Sequence, residues 1–200
     1  EEVIAGKDAV RSWYGAFIAL TDGENTVHCI WKYKMGDTDP TNLDAIRLKD
    51  DANWIIYRMA DVMLMKAEAL IWKGKENWQE AVDIINQIRT RANLLEKTIA
   101  IDEEDESSMM ENYLLPERNI ELAAEGKRWY DMIRYAKSKN YAHKSAFIAL
   151  VQQYNTTANA SWIRSVLQNE YAWYLPIHAD EIENNTLLVQ NPYYGITGNN

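Results

Sequence analysis

The chain has 200 residues, 47% of them hydrophobic, so it is long enough to bury a core and does not have the composition of a disordered protein. Its 21 Lys and Arg residues against 30 Asp and Glu residues leave a formal charge of −9, which disfavours nucleic-acid binding because phosphates would be repelled. Cys29 stands alone, which excludes an internal disulfide and a zinc site built on several thiols.

The first 50 residues contain a strand pattern and a polar loop. From Val27 to Met35, apolar and polar residues alternate with the period of two that is typical of a half-buried strand. The turn-like sequence TDGEN and the apolar run Trp13 to Leu20 precede this strand, so we predict a small β-hairpin. Residues 37–51 are rich in Asp, Asn and Thr and are predicted to form a long loop.

Two amphipathic helices are predicted next. Apolar residues recur at intervals of three and four from Trp54 to Lys73, and Gly74 closes this helix. Asn77 is expected to cap the second helix in a capping box with Glu80. The short connection predicts an antiparallel, tetratricopeptide-type pair, although the sequence holds no tandem copy of this unit. The apolar face of the second helix comprises Trp78, Ala81, Val82, Ile85, Ile88 and Ala92.

An acidic run, IDEEDESS, follows at residues 101–108. We interpret it as a solvated loop. A calcium site is the alternative, because carboxylates are calcium ligands, but the spacing and the glycine of an EF-hand loop are absent. Ser108 and Glu111 could form a capping box at the start of the next helix. Pro116 is expected to kink that helix or to begin its regular part.

The stretch ERNIELAAEGKRWYDMIR, residues 117–134, loses its helical phase at Gly126. We therefore predict two helices, 109–125 and 127–139, which meet at an angle at a glycine with positive φ. The second of these helices completes a second, diverged helical pair. Acidic residues repeat here at every fourth position and alternate with basic ones. We predict structural ion pairs that involve Glu117, Arg118, Glu121, Glu125, Arg128, Asp131 and Arg134.

The last 60 residues contain weaker helical patterns. Residues 144–154 and 162–170 are predicted to be helical, residues 171–177 extended, and a short helical turn is expected near Asp180. The predicted fold class is therefore mainly α, with tetratricopeptide-like helical pairs in an α-superhelix, a small β-hairpin and long loops. No apolar run approaches the roughly 18 residues of a membrane span.

The sequence contains none of the usual catalytic, nucleotide-binding or helix-borne metal motifs, so we predict neither a metal site nor a cofactor. Glu117, Glu121 and Glu125 could suggest glycoside hydrolysis, because side chains four apart on a helix lie about 5–6 Å apart. The interleaved arginines, however, would lower carboxyl pKa values, which is the opposite of what a general acid needs. We therefore predict no catalytic residues.

The chain is rich in Trp and Tyr, with 8 and 12 residues against 2 Phe. Such rings stack on the C–H faces of sugars and bond hydroxyl groups, and they equally suit the rim of a helical core. Trp54, Trp78 and Trp129 fall on apolar helix stripes and are assigned to packing, whereas Trp72 and Trp173 could serve either role. Five aromatic residues in less regular segments are the candidate ligand-binding residues, with packing as the alternative for each: Trp13, Tyr14, Trp31, Tyr33 and Trp162.

The pattern ER-x-x-EL-A-x-EG-x-RW-[YF]-D-[LM]-x-R, at residues 117–134, resembles the signature of the SusD/RagB family. Four other stretches agree with the family in order, namely YRMADVMLMKAEAL, INQIRTRANL, YLPIHADEI and QNPYY. Together they span Tyr57 to Tyr194, about two thirds of the chain. His178 stands where the family often has Pro, and Tyr194 stands where Gly is common.

Members of that family are outer-membrane lipoproteins that capture glycans, or sometimes peptides, beside a TonB-dependent transporter. The resemblance implies that residues 1–200 are the C-terminal portion of such a domain, without its N-terminal signal and lipidated Cys. It also implies a cell-surface location at the outer membrane and two partners, an oligosaccharide or polysaccharide and a SusC-like TonB-dependent transporter. Two alternatives remain. The first is a helical-repeat scaffold that binds a protein partner, and the weaker second is a glycosidase whose activity Glu121→Gln would abolish.

Overall fold

A computed structural model describes residues 54–155 and 157–195 in full, together with the backbone of two short strands that precede them. The strands β1 (Phe17–Asp22) and β2 (Asn25–Ile30) pair antiparallel, with Phe17 opposite Ile30 and Asp22 opposite Asn25. The side chains of both strands, the predicted continuation of the second strand to Met35 and the predicted loop at 37–51 lie outside the described residues.

The remainder of the described chain is mainly helical, which confirms the predicted fold class. The chain divides into two compact units, residues 1–128 and residues 129–200. The helices are α1 (Met59–Lys73), α2 (Trp78–Arg91), α3 (Glu106–Ser108), α4 (Leu115–Glu121), α5 (Arg128–Tyr141), α6 (Lys144–Tyr154), α7 (Ala160–Leu167) and α8 (Ala179–Asn184). Short 3-10 turns lie at Lys75–Asn77 and Glu170–Trp173, and a π-helical turn lies at Met109–Leu114. Within the described ranges, no helix is both long enough and apolar enough to cross a bilayer.

Helix α1 begins later than predicted because the backbone before it is extended. Arg58, the residue that precedes its first turn, has φ −144° and ψ 163°. Trp54, Ile56 and Met59 remain 62%, 68% and 73% exposed, so their assignment to a buried helical face was wrong. Gly74 ends the helix as predicted, with a φ of 127° that side-chain-bearing residues rarely adopt.

Helices α1 and α2 form the predicted pair in the first unit. The indole nitrogen of Trp78 donates a hydrogen bond to the carbonyl of Ile71 at 3.1 Å, and the predicted apolar face of α2 is buried throughout. Asn77 precedes α2, but its amide donates to the carbonyl of Gly74 and to Glu76 instead of capping the helix. The predicted capping box with Glu80 was therefore wrong.

A continuous helical run from α3 to α4 contains the π-helical turn. Its capping box is formed by Asp105 and Ser108, one turn earlier than predicted. Pro116 lies in the first turn of α4 and has no N–H to donate to the carbonyl of Asn112. Lys97 Nζ donates to that carbonyl instead, at 2.8 Å. The prediction that Pro116 begins the regular part of the helix is confirmed.

The predicted break between α4 and α5 is present, although α4 ends at Glu121, before the predicted boundary. Residues 122–126 form turns, in which Ala124 and Gly126 have φ values of 64° and 70°. The left-handed conformation predicted for Gly126 is confirmed. That of Ala124 was not expected, because an L-residue pays about 1–2 kcal/mol for it.

The second unit is built around Trp173, which is 2% exposed. Its ring lies edge-on to Phe147 at 4.9 Å and to Tyr141 at 5.9 Å between centroids, and its indole nitrogen donates to the carbonyl of Leu167 at 2.9 Å. Trp129 donates to the carbonyl of Trp173 at 2.8 Å. Trp173 is therefore a packing residue. The other buried members of the cluster are Met132, Ile133, Ala136, Ile148, Ile163 and Leu167.

The remaining elements of this unit follow the predictions with shifted boundaries. Helix α6 agrees with its predicted ends, α7 starts slightly earlier and ends sooner, and α8 coincides with the turn expected near Asp180. The predicted extended segment begins only at Tyr174, because the residues before it form the 3-10 turn.

Two side-chain amides attach the end of the described chain to this turn and to the extended segment after it. The side chain of Gln190 exchanges two hydrogen bonds with the backbone of Ile177, at 2.8 and 2.9 Å. The side-chain nitrogen of Asn191 donates to the carbonyls of Tyr171 and Tyr174, at 2.8 and 3.2 Å. The stretch QNPYY, singled out from the sequence, therefore has a structural role.

Candidate functional site

Glu121 lies between two arginines that come from other elements of the first unit. Arg58, which precedes α1, bonds its Nη1 to Glu121 Oε1 at 2.6 Å and its Nε to Glu125 Oε1 at 2.8 Å. Arg91, the last residue of α2, bonds its Nη2 to Glu121 Oε2 at 2.7 Å. Both glutamate side chains are buried. The end of α4 and the turn after it are therefore attached to the α1–α2 pair by charge-assisted hydrogen bonds.

Two further buried ion pairs reinforce this attachment. Glu117 Oε2 accepts from Arg89 Nη1 at 2.9 Å, and Arg89 also donates to the carbonyl of Leu95 at 2.8 Å. Arg118 Nη2 bonds to Asp61 Oδ1 at 3.0 Å, and Lys127 Nζ lies 3.2 Å from the other oxygen of Asp61. Buried charges of this kind are stable only when they are paired and hydrogen-bonded.

The electrostatics of this cluster keep its central carboxyl ionised. Burial acts to raise the pKa of Glu121, but the hydrogen bonds and charges of Arg91 and Arg58 outweigh burial and hold that pKa below its ordinary value of 4.5. Burial acts to lower the pKa of Arg58, but the hydrogen bonds and charges of Glu121 and Glu125 outweigh burial and raise that pKa above its ordinary value. A glycosidase general acid needs a raised carboxyl pKa. The arrangement at Glu121 is suited to holding helices together and is unsuited to proton donation.

The structure places the predicted ion-pair residues in several different contacts. The guanidinium groups around the glutamates come from Arg58, Arg89 and Arg91, which the sequence analysis did not consider. Arg128 Nη1 donates to the carbonyl of Leu115 at 3.1 Å, and the buried Asp131 accepts from Arg134 at 2.9 Å. Of the two arginines in the stretch INQIRTRANL, Arg89 was the available signal, because it lies on the buried side of α2, where an amphipathic helix seldom places a charge.

The acidic run at residues 101–108 has its carboxylates bonded to separate groups. Asp102 accepts from Lys75 at 3.1 Å, Glu104 accepts from the Tyr113 hydroxyl at 2.9 Å, and Asp105 caps α3. Among the residues that the structure describes, no group of three or more His, Cys, Asp or Glu side chains is placed to hold a metal ion.

The predicted ligand-binding aromatics lie largely outside the described residues, namely Trp13, Tyr14, Trp31 and Tyr33. Trp162 is described and is 61% exposed on α7. Asn159 caps this helix by accepting from the backbone of Ser161, and Ile163 and Leu167 are buried on its other face. Trp162 is therefore held on a fixed helix with its ring in solvent.

Several other aromatic residues are exposed, and two of them lie close together in the chain. Tyr171 and Tyr174 are 56% and 40% exposed, and they flank the buried Trp173. Lys137 Nζ donates to the Tyr174 hydroxyl at 2.9 Å. The sequence places all three aromatics in one run, EYAWYL, which does not indicate which ring faces the core.

Comparison with known proteins gives consistent similarities. A sequence model of the SusD family matches residues 19–194. The SusD-like protein P38 of Formosa agariphila is 40% identical over 96 residues, covering 44% of this chain and 18% of that protein. The SusD-like protein P2 of the same organism is 32% identical over 152 residues, covering 73% of this chain and 27% of that protein. A crystal structure of a SusD superfamily protein from Bacteroides thetaiotaomicron is 28% identical with a TM-score of 0.49, covering 70% of this chain and 26% of that one. The chain thus spans about a quarter or less of the length of each of these relatives.

Proposed function

Because this chain belongs to the SusD family, we propose that it is part of a protein that binds glycans for nutrient uptake. The match of the family to residues 19–194 is the observation that carries this proposal. Exposed Trp and Tyr rings support it, since such rings combine an apolar face with a polar edge and suit the two kinds of surface on a sugar.

A binding role without catalysis is supported by the glutamate cluster. Glu121 is held ionised between Arg58 and Arg91, and Glu117 is paired with Arg89. The arginines hold the pKa of Glu121 below its ordinary value, whereas a general acid needs a raised pKa. We therefore assign these residues to stability and the recognition of glycans to exposed aromatics.

The finer proposal concerns partner and location. The complete protein would capture an oligosaccharide or polysaccharide for a SusC-like TonB-dependent transporter, at the outer surface of the outer membrane and held there by an N-terminal lipid. Purification from outer-membrane fractions tests this. We expect a TonB-dependent transporter to co-purify with the protein. Recovery of the protein without a transporter, or from another compartment, would contradict this part of the proposal.

Glycan binding is tested by titrating the complete protein with neutral and acidic oligosaccharides. We expect at least one to bind with a dissociation constant of about 1 mM or lower, which corresponds to about 4 kcal/mol of binding free energy. We also expect the reducing ends released from each glycan to stay at the background level. If hydrolysis products accumulate and Glu121→Gln removes them, the protein is a glycosidase instead.

Trp162 gives a residue-level prediction for the same function. Replacing this exposed ring with Ala is expected to weaken glycan binding about fivefold or more, because stacking area is lost while α7 retains its capping residue and buried face. Isothermal titration measures this change. Tyr130→Ala is the matched control, since Tyr130 is similarly exposed at 58% on another helix. Equal losses in both variants would remove Trp162 from the candidate site.

A second candidate function, a helical-repeat scaffold for a protein partner, is favoured by exposed apolar side chains on α1. Met59, Val62 and Met65 are 73%, 48% and 38% exposed and follow one another at intervals of three residues. Val62→Glu and Met65→Glu should leave the helix content, measured by far-UV circular dichroism, unchanged because both positions face solvent. Loss of protein partners with glycan affinity retained supports the scaffold. Retention of the protein partners together with loss of glycan affinity supports glycan capture alone.

A further inference from the structure

The charges of the second unit are arranged very differently from those of the whole chain. Residues 132–169 contain none of the 30 Asp and Glu residues of the sequence. This acid-free segment carries five cationic residues, of which Arg134 and Lys144 are paired with Asp131 and Glu170, the acids just outside its two ends. An exposed cation of this segment attracts an anionic group within about one Debye length, roughly 8–10 Å at physiological salt. The cationic residues of the segment are Arg134, Lys137, Lys139, Lys144 and Arg164.

Two exposed tyrosines follow this segment, one within the 3-10 turn and one directly after it. Tyr171 lies within the 3-10 turn and Tyr174 follows it, and the amide of Tyr174 donates to the carbonyl of Tyr171 at 3.4 Å. Tyr174 ends the turn with an extended backbone, φ −112° and ψ 147°, and both tyrosine side chains are exposed. Trp173, between them, points into the core. Its burial is what directs its neighbours toward solvent.

This turn is held rigidly from both sides. Trp173 makes the ring contacts and the indole hydrogen bond described above, and Asn191 bonds the carbonyls of both Tyr171 and Tyr174. Lys144 Nζ bonds to Glu170 at 2.9 Å, which offsets the charge of the acid beside Tyr171. A preorganised surface binds more tightly than a mobile one because less conformational entropy is lost on binding.

Lys137 adds a cation at the edge of this surface. Its Nζ donates to the Tyr174 hydroxyl at 2.9 Å and lies 5.5 Å from the centre of that ring. The hydrogen bond with Tyr174 raises the pKa of Lys137 above 10.5, so the ammonium group is charged at neutral pH. An ammonium group carries three N–H donors, so two remain for a ligand when one is used by Tyr174.

We propose that Tyr171, Tyr174 and Lys137 form a subsite for an anionic sugar, a pyranose ring that carries a carboxylate or a sulfate. The tyrosine rings stack against the C–H face of the sugar, and Lys137 donates hydrogen bonds to its anionic group. The inference rests on the proposed glycan-binding function and adds to it the position of a subsite and the charge of its ligand.

Titration of the complete chain with three probes of matched length tests the charge of the ligand. The probes are a galacturonic-acid oligosaccharide, a sulfated galactan oligosaccharide and a neutral galactan oligosaccharide. We expect at least one acidic probe to bind about tenfold more tightly than the neutral one, because hydrogen bonds to charged groups are the stronger ones. Raising the salt concentration to about 0.5 M should reduce this preference, since exposed charges are then screened. The better of the two acidic probes identifies the anionic group.

Variants then locate the subsite. Tyr171→Ala combined with Tyr174→Ala is expected to weaken binding of the acidic probe about tenfold or more, and Lys137→Gln to remove most of its preference over the neutral probe. Tyr154→Ala controls for loss of an exposed ring, and Lys73→Gln controls for loss of one positive charge in the other unit. Far-UV circular dichroism should be unchanged in every variant, because all the replaced side chains are exposed.

The outcomes separate this inference from the proposed function. Equal affinity for acidic and neutral probes overturns the anionic subsite and leaves glycan binding intact. Wild-type affinity in the tyrosine and Lys137 variants does the same, because binding then occurs elsewhere. If the complete protein binds none of the three probes and none of the neutral and acidic oligosaccharides named under the proposed function, both the anionic subsite and the glycan-binding function are overturned.

Discussion

At the scale of single residues, buried charge determines how the first unit is held together. Glu121 accepts hydrogen bonds from two arginines that are distant in sequence, and Glu117 and Asp61 each have a buried cationic partner. Removing one member of such a pair leaves the other desolvated without compensation. We therefore expect these positions to tolerate substitution poorly because each buried charge depends on its partner.

Glu121→Gln tests this expectation. The amide keeps the size of the side chain but leaves Arg58 and Arg91 without their counter-charge, so we expect the free energy of unfolding at pH 7 to fall by about 2–3 kcal/mol. Urea denaturation measures this change. Glu80→Gln is the control, because the pair of Glu80 with Lys66 is exposed and such pairs contribute about 0–1 kcal/mol. Equal effects at the two positions would contradict the importance of burial.

The same variant predicts a pH dependence. Because the folded-state pKa of Glu121 lies below 4.5, its ionised form stabilises the fold fully above that pH, and this contribution is lost as pH falls through the lower folded-state value. The difference in stability between the wild type and Glu121→Gln should therefore be large at pH 7 and shrink below about pH 4. A constant difference across this range would show that Glu121 is not the titrating group.

At the scale of elements, the ends of helices depend on a few backbone conformations. Helix α4 cannot continue into α5 because Ala124 and Gly126 have positive φ. The last residues assigned to α5 also leave helical geometry, since Ser138 is extended and the next three residues have φ values of 48°, 57° and 64°. Each break re-aims the chain, which a single straight helix could not do. The cost of an L-residue in this conformation is repaid by the packing that follows.

Gly126→Ala tests the first of these breaks. A methyl group at this position would lie 3.7 Å from Trp54 Cζ2, an ordinary contact, so steric overlap is not the problem. The φ of 70° remains unfavourable, and we expect a loss of about 1 kcal/mol in the free energy of unfolding. Gly195→Ala is the matched control, since its φ is not positive and its added methyl group meets nothing closer than 3.7 Å. No difference between the two variants would show that the turn adapts freely.

At the scale of the whole molecule, the chain contains two compact units with separate sources of stability. The first, up to residue 128, combines the apolar α1–α2 pair with the buried ion pairs. The second depends on the aromatic cluster around Trp173. Because a cooperative unit opens when its core is lost, mutations in the two cores are expected to act on different stretches of the chain.

Trp173→Ala, compared with Glu121→Gln, tests this division. Loss of the largest buried ring should cost about 3–5 kcal/mol, and amide hydrogen exchange should accelerate in peptides from residues 129–195. Glu121→Gln should accelerate exchange in peptides from residues 54–128 instead. If each variant opens both stretches, the chain unfolds as one cooperative unit.

The sequence by itself determined the helical class, the α1–α2 pair, the position of α6 and the break at Gly126. These features follow from local properties, namely hydrophobic periodicity and the backbone preference of glycine, so a stretch of sequence carries them unaided. Its family motifs also indicated SusD membership, which the comparison with the family confirms.

Only the tertiary structure decided which charges pair and which aromatics face solvent. Arg58 and Glu121 are paired although they are far apart in sequence, and no local pattern records a contact of that kind. In the run EYAWYL, the burial of Trp173 and the exposure of Tyr171 and Tyr174 depend on where Phe147 and Leu167 lie. Periodicity fixes the faces of a single element, whereas burial is set by its neighbours in space, and those become known only once the chain has folded.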